Sequence, residues 1–164
     1  MVTGHALQPK NVSRLQTQSA KLLTMHAKIQ WRDKVHFEAT ADSGHTVLID
    51  GPPNGGGENR GARPMELVLI GLGGCASYDV VNILEKARQN IVNCVTEITA
   101  TRAESIPQVF ETIHLHFVVT GRSLKDAAVE RAIRLSADKY CSASKMLERG
   151  GVKITHDFEI IEVG

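Results

Sequence analysis

The residues best suited to chemistry in this 164-residue sequence are two of its three cysteines, Cys75 and Cys141. Cys75 directly follows Gly74 inside a long apolar segment, and Cys141 stands where a short helical segment begins. Backbone N–H groups at a helix start can stabilise a thiolate, the nucleophilic form of cysteine. A free cysteine taken alone is most often a small core residue, and Cys94, which has no comparable setting, is assigned to structure. The settings of the other two favour thiol chemistry.

A second pattern, His114-x-His116, places two imidazoles on one face of a predicted strand, a spacing that suits a metal ion. Two histidines without a third nearby ligand are more often exposed sheet residues, so we expect no metal site. The sequence also has no CxxC motif, so it predicts neither a thioredoxin-like site nor a paired-cysteine zinc site.

Composition excludes several classes of protein. The formal net charge is +1, whereas nucleic acids and anionic membranes bind clustered Lys and Arg, so we expect neither as a partner. Three widely spaced cysteines do not make a secreted disulfide framework. The longest apolar run, residues 67–76, falls short of the roughly 20 residues that a membrane-spanning helix needs. We therefore expect a cytoplasmic protein.

The chain divides into a short lead and one domain. Residues 1–24 are polar and rich in Gln and Ser, without the apolar core of a signal peptide. Met25 stands just before the first strand-like segment and could be an alternative start. We expect residues 1–24 to be loosely ordered or weakly helical and residues 25–164 to form one domain.

Hydrophobic periodicity predicts six strands and three helices. The predicted strands are residues 26–31, 35–40, 45–50, 92–103, 108–120 and 152–162. The predicted helices are residues 64–89, 124–140 and 142–149, with Ser123 as the N-cap of the second. Glycine and proline between residues 50 and 64 predict a mobile loop. The order βββ-α-ββ-α-α-β predicts an α+β fold with antiparallel sheets packed around a central helix.

The first half of the long helix is apolar almost all round apart from Glu66, so it should be buried on every side. One small sheet can cover only one face, and a second copy of the same helix is the expected cover for the other. Gly71, Gly73 and Gly74 each cost about 0.8–1 kcal/mol relative to Ala in a helix interior, which close approach of a partner backbone would offset. The sequence therefore predicts a homodimer.

These motifs resemble the OsmC/Ohr family. The segment PMEL at residues 64–67, with Cys75 eleven residues after Pro64, resembles the family's cysteine helix, and Cys141 in KYCSASKML matches its second cysteine. The resemblance covers about residues 25–163 and implies an intertwined homodimer with sites at the subunit interface. It also implies that Cys75 attacks an organic hydroperoxide and becomes a sulfenic acid. Cys141 then forms a disulfide with it, which an external dithiol reduces, without a metal or organic cofactor.

The resemblance also assigns two supporting residues. An Arg in the family's first hairpin matches Arg32, with Arg60 and Arg63 as rivals, and a Glu near the start of the central helix matches Glu66. Glu66 precedes Cys75 by nine residues, which places it about 13.5 Å away along the helix and on a nearly opposite face. If the two share a site, Glu66 comes from the partner chain.

Two positions depart from the family pattern. The family's Glu directly follows the proline, a position that Met65 occupies here, and Cys141 is followed by Ser-Ala-Ser instead of Pro-Tyr. The resemblance is therefore closer to an uncharacterised OsmC-like branch than to the most active peroxidases of the family.

One alternative function uses the same fold. A non-catalytic protein could bind a lipophilic small molecule in the same interfacial pocket without turnover. Fast, stoichiometric loss of two thiols with hydroperoxide would support the enzyme, and tight binding with inert thiols would support the binding protein. A pure scaffold has no positive feature in the sequence.

Overall fold

The structure, a computed structural model, describes residues 24–164, so the predicted lead lies outside the described residues except for Thr24. The elements of this part of the chain are β1 (Ala27–Asp33), β2 (His36–Ala41), β3 (Thr46–Ile49), α1 (Pro64–Lys86), β4 (Asn90–Arg102), β5 (Phe110–Arg122), α2 (Asp126–Leu135), α3 (Ser142–Arg149) and β6 (Lys153–Glu162). A 3₁₀ turn, Pro53–Gly55, precedes α1, and a π-helical turn, Ser136–Tyr140, joins α2 to α3. The predicted element order and the α+β class are confirmed.

The strands form two three-stranded sheets. The first sheet, β1-β2-β3, is antiparallel throughout. In the second sheet β4 is antiparallel to β5, with Cys94 opposite Val119, whereas β6 is parallel to β5, with Phe117 opposite Phe158. The expectation of purely antiparallel sheets is wrong for β6. Parallel neighbours need a long crossover, and α2 and α3 supply it.

The core lies between the second sheet and the helices. Alternate side chains of β5 point toward the helices, as the two-residue period of a strand requires. α1 and α2 contribute one apolar stripe each, and burying a Val, Leu or Phe side chain fully stabilises the fold by about 1.5–3 kcal/mol. The buried apolar residues of these elements are Leu72, Ala76, Val80, Leu84, Phe110, Ile113, Leu115, Phe117, Val119, Val129, Ala132 and Ile133.

The other side of α1 is uncovered within one chain. Ile70 is 60% exposed and Tyr78 is 71% exposed. A Cβ atom added at Gly71 or Gly74 would meet nothing within 4 Å, whereas one added at Gly73 would lie 2.7 Å from Cδ1 of Ile98 on β4. The described residues of a single chain therefore do not bury α1 on every side. Gly73 packs against its own sheet, where the tip of the Ile98 side chain lies close to the helix.

By length and composition α1 could cross a membrane, because it is a 23-residue helix with few charges. The sequence-based expectation considered only the uninterrupted run of residues 67–76 and was too narrow. In this fold α1 packs against β4, α2 and α3, and its Leu72, Val80 and Leu84 are fully buried, as in a core helix. The cytoplasmic location stays a prediction.

The first sheet stands apart from the core of its own chain. Its strands contact one another extensively, but they make no comparable contact with α1 or the second sheet. Ile29 and Trp31 on β1 are 58% and 62% exposed. The surface that should cover these apolar side chains is not supplied by the described part of the chain.

The glycine-rich loop between β3 and α1 is held by one buried carboxylate. Asp50 accepts hydrogen bonds from the backbone N–H groups of Gly51 (2.8 Å), Glu58 (3.0 Å) and Arg60 (3.0 Å). At Gly57 an added Cβ would lie 1.8 Å from the carbonyl oxygen of Gly51, so only glycine permits this approach. These bonds hold the loop in this path, and its mobility stays a prediction.

The second predicted helix begins and ends differently in the structure. Ser123 is not the N-cap: its φ is 49°, and its N–H donates to Oε1 of Glu162 on β6 (2.8 Å). Lys125 occupies the cap position without a side-chain hydrogen bond. The predicted helix 124–140 is α2 followed by the π-helical turn.

Candidate active site

The structure brings Cys75 and Cys141 together with a third residue, Asp79. The two sulfur atoms and a carboxylate oxygen of Asp79 all lie within 4.8 Å of one another. Cys75 and Asp79 are four residues apart on α1, a spacing that places both side chains on one helix face. Cys141 joins them from the junction between the π-helical turn and α3. We call these three residues the thiol–carboxylate cluster.

Cys141 is the buried member of the cluster, with no exposed surface. Its sulfur caps α3 by accepting a hydrogen bond from the backbone N–H of Ser144 (Sγ···N 3.4 Å). Burial raises the pKa of the Cys141 thiol, and the contact with Ser144 acts in the opposite direction. Cys75 is only half-buried. The two thiols therefore differ in access, and Cys75 is the one that a soluble reagent reaches first.

The π-helical turn positions Cys141 and Asp79 relative to each other. Cys141 donates its backbone N–H to the carbonyl oxygen of Ser136 (2.8 Å). The buried Ser136 hydroxyl lies 3.3 Å from both Oδ2 of Asp79 and the carbonyl oxygen of Ala76. π-Helical turns are rare in proteins, and those that do occur often lie at functional sites. Asp79 was missed by the sequence analysis, although its four-residue spacing from Cys75 could have revealed it.

The two supporting residues predicted from the resemblance are elsewhere in the single chain. Arg32 forms an ion pair with Glu38 within the first sheet (Nη2···Oε1 3.0 Å). Glu66 reaches back to accept the N–H of Arg63 (2.9 Å), which caps the start of α1. Neither residue belongs to the thiol–carboxylate cluster.

The rival arginines have structural partners. Arg60 hydrogen-bonds Asp33 on β1 and lies 3.8 Å from Oδ2 of Asp50, so it links the glycine-rich loop to the first sheet. The hydrogen bond with Asp33 raises the pKa of Arg60. Arg63 lies 3.8 Å from Glu66. These contacts assign both arginines to holding the segment before α1.

Cys94 lies on β4, outside the cluster, and is half-buried. Burial raises the pKa of its thiol, which disfavours the reactive thiolate. This agrees with its assignment to structure.

The two histidines lie on the outer face of the second sheet and share one carboxylate. His116 Nδ1 is 2.6 Å and His114 Nε2 is 3.3 Å from Oδ1 of Asp157 on β6. His114 Nδ1 also contacts the hydroxyl of Thr155 (2.8 Å). The hydrogen bond with Asp157 raises the pKa of His116. Within residues 24–164, only the thiol–carboxylate cluster brings three His, Cys, Asp or Glu side chains close enough together to bind one metal ion.

Two grooves flank α1. The first, of about 510 Å³, follows the uncovered side of the helix and includes Ile70, Gly74 and Ser77. The second, of about 500 Å³, lies at the helix start and includes Met65, Leu69, Phe110 and Arg102. Both grooves include Glu66. An apolar ligand or a second copy of α1 could fill them.

The chain is similar in sequence and fold to known proteins. The family model "OsmC-like protein" matches residues 55–157. Protein YhfA of Escherichia coli K12 is 48% identical over 137 residues, which are 84% of this chain and 98% of that protein. A crystal structure of a hypothetical protein from Aquifex aeolicus VF5 has 27% identity and a TM-score of 0.72, covering 86% of this chain and 100% of that one. The crystal structure of an organic hydroperoxide resistance protein OsmC from Legionella pneumophila has 18% identity and a TM-score of 0.63, covering 87% of this chain and 98% of that one. The chain belongs to the OsmC-like protein family.

Proposed function

We propose that the protein reduces organic hydroperoxides with Cys75 and Cys141. The Cys75 thiolate attacks the terminal oxygen of the hydroperoxide, the O–O bond breaks, and the alkoxide takes up a proton and leaves as an alcohol. Cys75 is then a sulfenic acid. The Cys141 sulfur attacks the Cys75 sulfur, water leaves, and a disulfide forms. An external dithiol reduces the disulfide by exchange and restores both thiols.

The observation that carries this proposal is the proximity of the two sulfur atoms, which lie within 4.8 Å of each other. A disulfide bond needs an S–S distance of about 2.05 Å, so the sulfurs must approach by less than about 3 Å. Side-chain rotation or a shift at the start of α3 would have to supply this approach. The likeness to a Legionella protein named for organic hydroperoxide resistance supports the substrate class.

The different surroundings of the two thiols divide their roles. Half-buried Cys75 is more accessible to a soluble substrate than buried Cys141, so it is the attacking thiol. Fully buried Cys141 has a pKa raised by burial, so it stays protonated until Cys75 has been oxidised. Its sulfur then resolves the sulfenic acid.

Asp79 is placed to assist resolution. One of its carboxylate oxygens lies within 4.8 Å of both sulfur atoms, and its Oδ2 is 3.3 Å from the Ser136 hydroxyl. As Cys141 attacks, its proton can pass to this carboxylate, which supplies general-base assistance. The hydroxide that leaves Cys75 then takes up this proton and departs as water.

We further propose that the site is completed in a homodimer. Arg32 lies on a sheet that does not pack on its own α1, and Glu66 lies on nearly the opposite face of α1 from Cys75. In a two-fold dimer of α1 helices, both residues would approach Cys75 of the other chain. A cation beside Cys75 would favour its thiolate over the neutral thiol.

The test is a stopped-flow and mass-spectrometric study of the reduced protein with cumene hydroperoxide and with hydrogen peroxide. Cys75→Ser should abolish hydroperoxide consumption. Cys141→Ser should consume a single equivalent and leave a sulfenic acid on Cys75 that dimedone traps, without turnover by a dithiol. The unaltered protein should form a disulfide between Cys75 and Cys141 of one chain.

Cys94→Ser is the matched control, since it removes a thiol outside the cluster and should leave both reactions unchanged. If Cys75 stays reduced under excess cumene hydroperoxide, the peroxidase proposal is wrong. The apolar groove of about 500 Å³ beside Met65, Leu69 and Phe110 then favours a binding protein for a lipophilic molecule.

A further inference from the structure

We propose that the reduced thiol–carboxylate cluster is also a binding site for a thiophilic divalent cation, of which Zn²⁺ is the representative. The ligands would be the sulfur atoms of Cys75 and Cys141 and a carboxylate oxygen of Asp79. Metal binding would use the same three residues as the proposed peroxide chemistry, which itself needs no metal, and it concerns the resting, reduced protein.

The distances fit such an ion. Zn²⁺ binds thiolate at about 2.3 Å and carboxylate at about 2.0–2.2 Å in tetrahedral geometry, which places two thiolate ligands about 3.8 Å apart. The three donor atoms of the cluster are already within 4.8 Å of one another. Contraction by about 1 Å would complete the coordination.

The electrostatics of the cluster also favour a cation. Two thiols that can ionise lie beside a carboxylate, and Asp79 takes part in none of the ion pairs found within residues 24–164. Within residues 24–164, the charge of the Asp79 carboxylate, and of either thiol once it ionises, is therefore not neutralised by an ion pair. A divalent cation would replace proton binding as the means of neutralising that charge.

The surroundings supply orientation and access. The Ser136 hydroxyl contacts Oδ2 of Asp79, and the Ser144 N–H contacts the Cys141 sulfur, so second partners orient two of the three ligands, as in known metal sites. A cleft of about 330 Å³ lined by Tyr78, Asp79 and Tyr140 reaches the Asp79 member of the cluster. Three protein ligands leave the fourth coordination position to water. Such an open site differs from a structural zinc site, in which four protein ligands surround the ion.

Metal binding and the proposed peroxidase reaction would exclude each other, and this consequence rests on the proposed function. The bound ion engages both sulfur electron pairs. When a hydroperoxide oxidises the two thiolates, two electrons and two protons convert it to an alcohol and water, the sulfurs become a disulfide, and the ion is released. Zinc would therefore inhibit the reduced enzyme, and oxidation would expel zinc.

The experiment measures metal binding without any peroxide, so its outcome is independent of the peroxidase activity. The reduced full-length protein is titrated with Zn²⁺ against a chromophoric chelator and, separately, with Co²⁺ while its absorption is recorded. We expect one ion per chain and a thiolate-to-cobalt charge-transfer band. Asp79→Asn keeps both thiols and the side-chain shape, and it should weaken Zn²⁺ binding at least about 10-fold, since even indirect partners of metal ligands contribute that much.

Cys75→Ser and Cys141→Ser should each abolish the charge-transfer band or reduce it to that of a single thiolate, whereas Cys94→Ser should change nothing. Protein oxidised to the Cys75–Cys141 disulfide should not bind. The proposal is overturned if the reduced protein binds no Zn²⁺ at micromolar concentration, if binding persists in both cysteine variants, or if Asp79→Asn binds as tightly as the unaltered protein. A failure of hydroperoxide reduction would leave each of these results unaffected.

Discussion

At the scale of single residues, Asp50 shows how one carboxylate organises the approach to the site. It is almost fully buried, and the N–H of Arg60, together with those of Glu58 and Gly51, lowers its pKa to about 2. Its hydrogen bonds fix the loop that leads from the first sheet into α1. The direction in which the chain enters the cysteine helix therefore depends on a charge that lies fourteen residues before the helix begins at Pro64.

Asp50 should make the free energy of unfolding depend on pH in the acid range. Its pKa is lower in the folded protein than the ordinary value of 3.8. Its contribution to the free energy of unfolding is therefore complete above the ordinary pKa and is lost as the pH falls toward 2. Melting temperatures of the unaltered protein and of Asp50→Ala should differ most near neutral pH and converge in acid. The exposed Asp138, replaced in the same way, should give no such convergence. A constant difference between pH 7 and pH 2 would contradict the role of the charge.

The candidate site was only partly predictable at this scale. The resemblance identified Cys75 and Cys141, and their sulfur atoms do lie together. Asp79 has no signal in the sequence beyond its four-residue spacing from Cys75 on a predicted helix. The position of Arg32 relative to Cys75 could not follow from the sequence or from one chain, because it depends on how a second chain packs.

At the scale of elements, the glycines of α1 lie on two sides of the helix that have different surroundings. Gly73 faces β4, where a side chain would have to displace the tip of Ile98, whereas Gly71 and Gly74 face open space. The sequence analysis predicted that a partner backbone approaches all three glycines. Within the chain itself, close approach occurs only at Gly73, and the neighbour is the chain's own sheet. The other two positions remain free for a partner helix.

A pair of leucine substitutions should separate these two sides. Gly73→Leu should disrupt the packing of α1 on β4 and destabilise the chain, since forced overpacking costs about 1–3 kcal/mol or more. Gly74→Leu should keep the fold and raise the dimer dissociation constant roughly tenfold or more. Circular dichroism measures the first effect and analytical ultracentrifugation the second. An unchanged dissociation constant for Gly74→Leu would show that the open side of α1 is not the dimer interface.

The elements themselves follow closely from hydrophobic periodicity. The predicted α3, residues 142–149, agrees with the structure, and the predicted α1 is only three residues too long. The parallel pairing of β6 was not predictable in the same way, because strand direction is set by the crossover and not by the strand's own pattern. Ser123 failed as an N-cap because its contact with Glu162 on β6, a tertiary interaction, sets its backbone conformation.

At the scale of the whole molecule, the chain exposes the surfaces that a dimer would bury. They are the open side of α1 around Ile70 and Tyr78 and the apolar residues of β1, Ile29 and Trp31. An unpartnered chain would leave both in water. We therefore expect a dimer that does not dissociate before it unfolds.

Ultracentrifugation at micromolar concentration should detect only dimers, and the melting temperature should rise with protein concentration, because unfolding then includes dissociation. The matched sample is Gly74→Leu, for which the same dilution series should reveal monomer. A folded monomer of the unaltered protein would be incompatible with this assembly.

The separation of the first sheet from the core of its own chain has a genetic consequence. If Arg32 on that sheet serves Cys75 of the other chain, each site is the joint property of two gene copies. A mixed dimer of one Cys75→Ser chain and one Arg32→Ala chain would retain a complete site that neither mutant homodimer has, so two defective alleles would complement each other. A chain carrying both substitutions would instead impair both sites of a dimer that it forms with an unaltered chain, and the allele would be dominant.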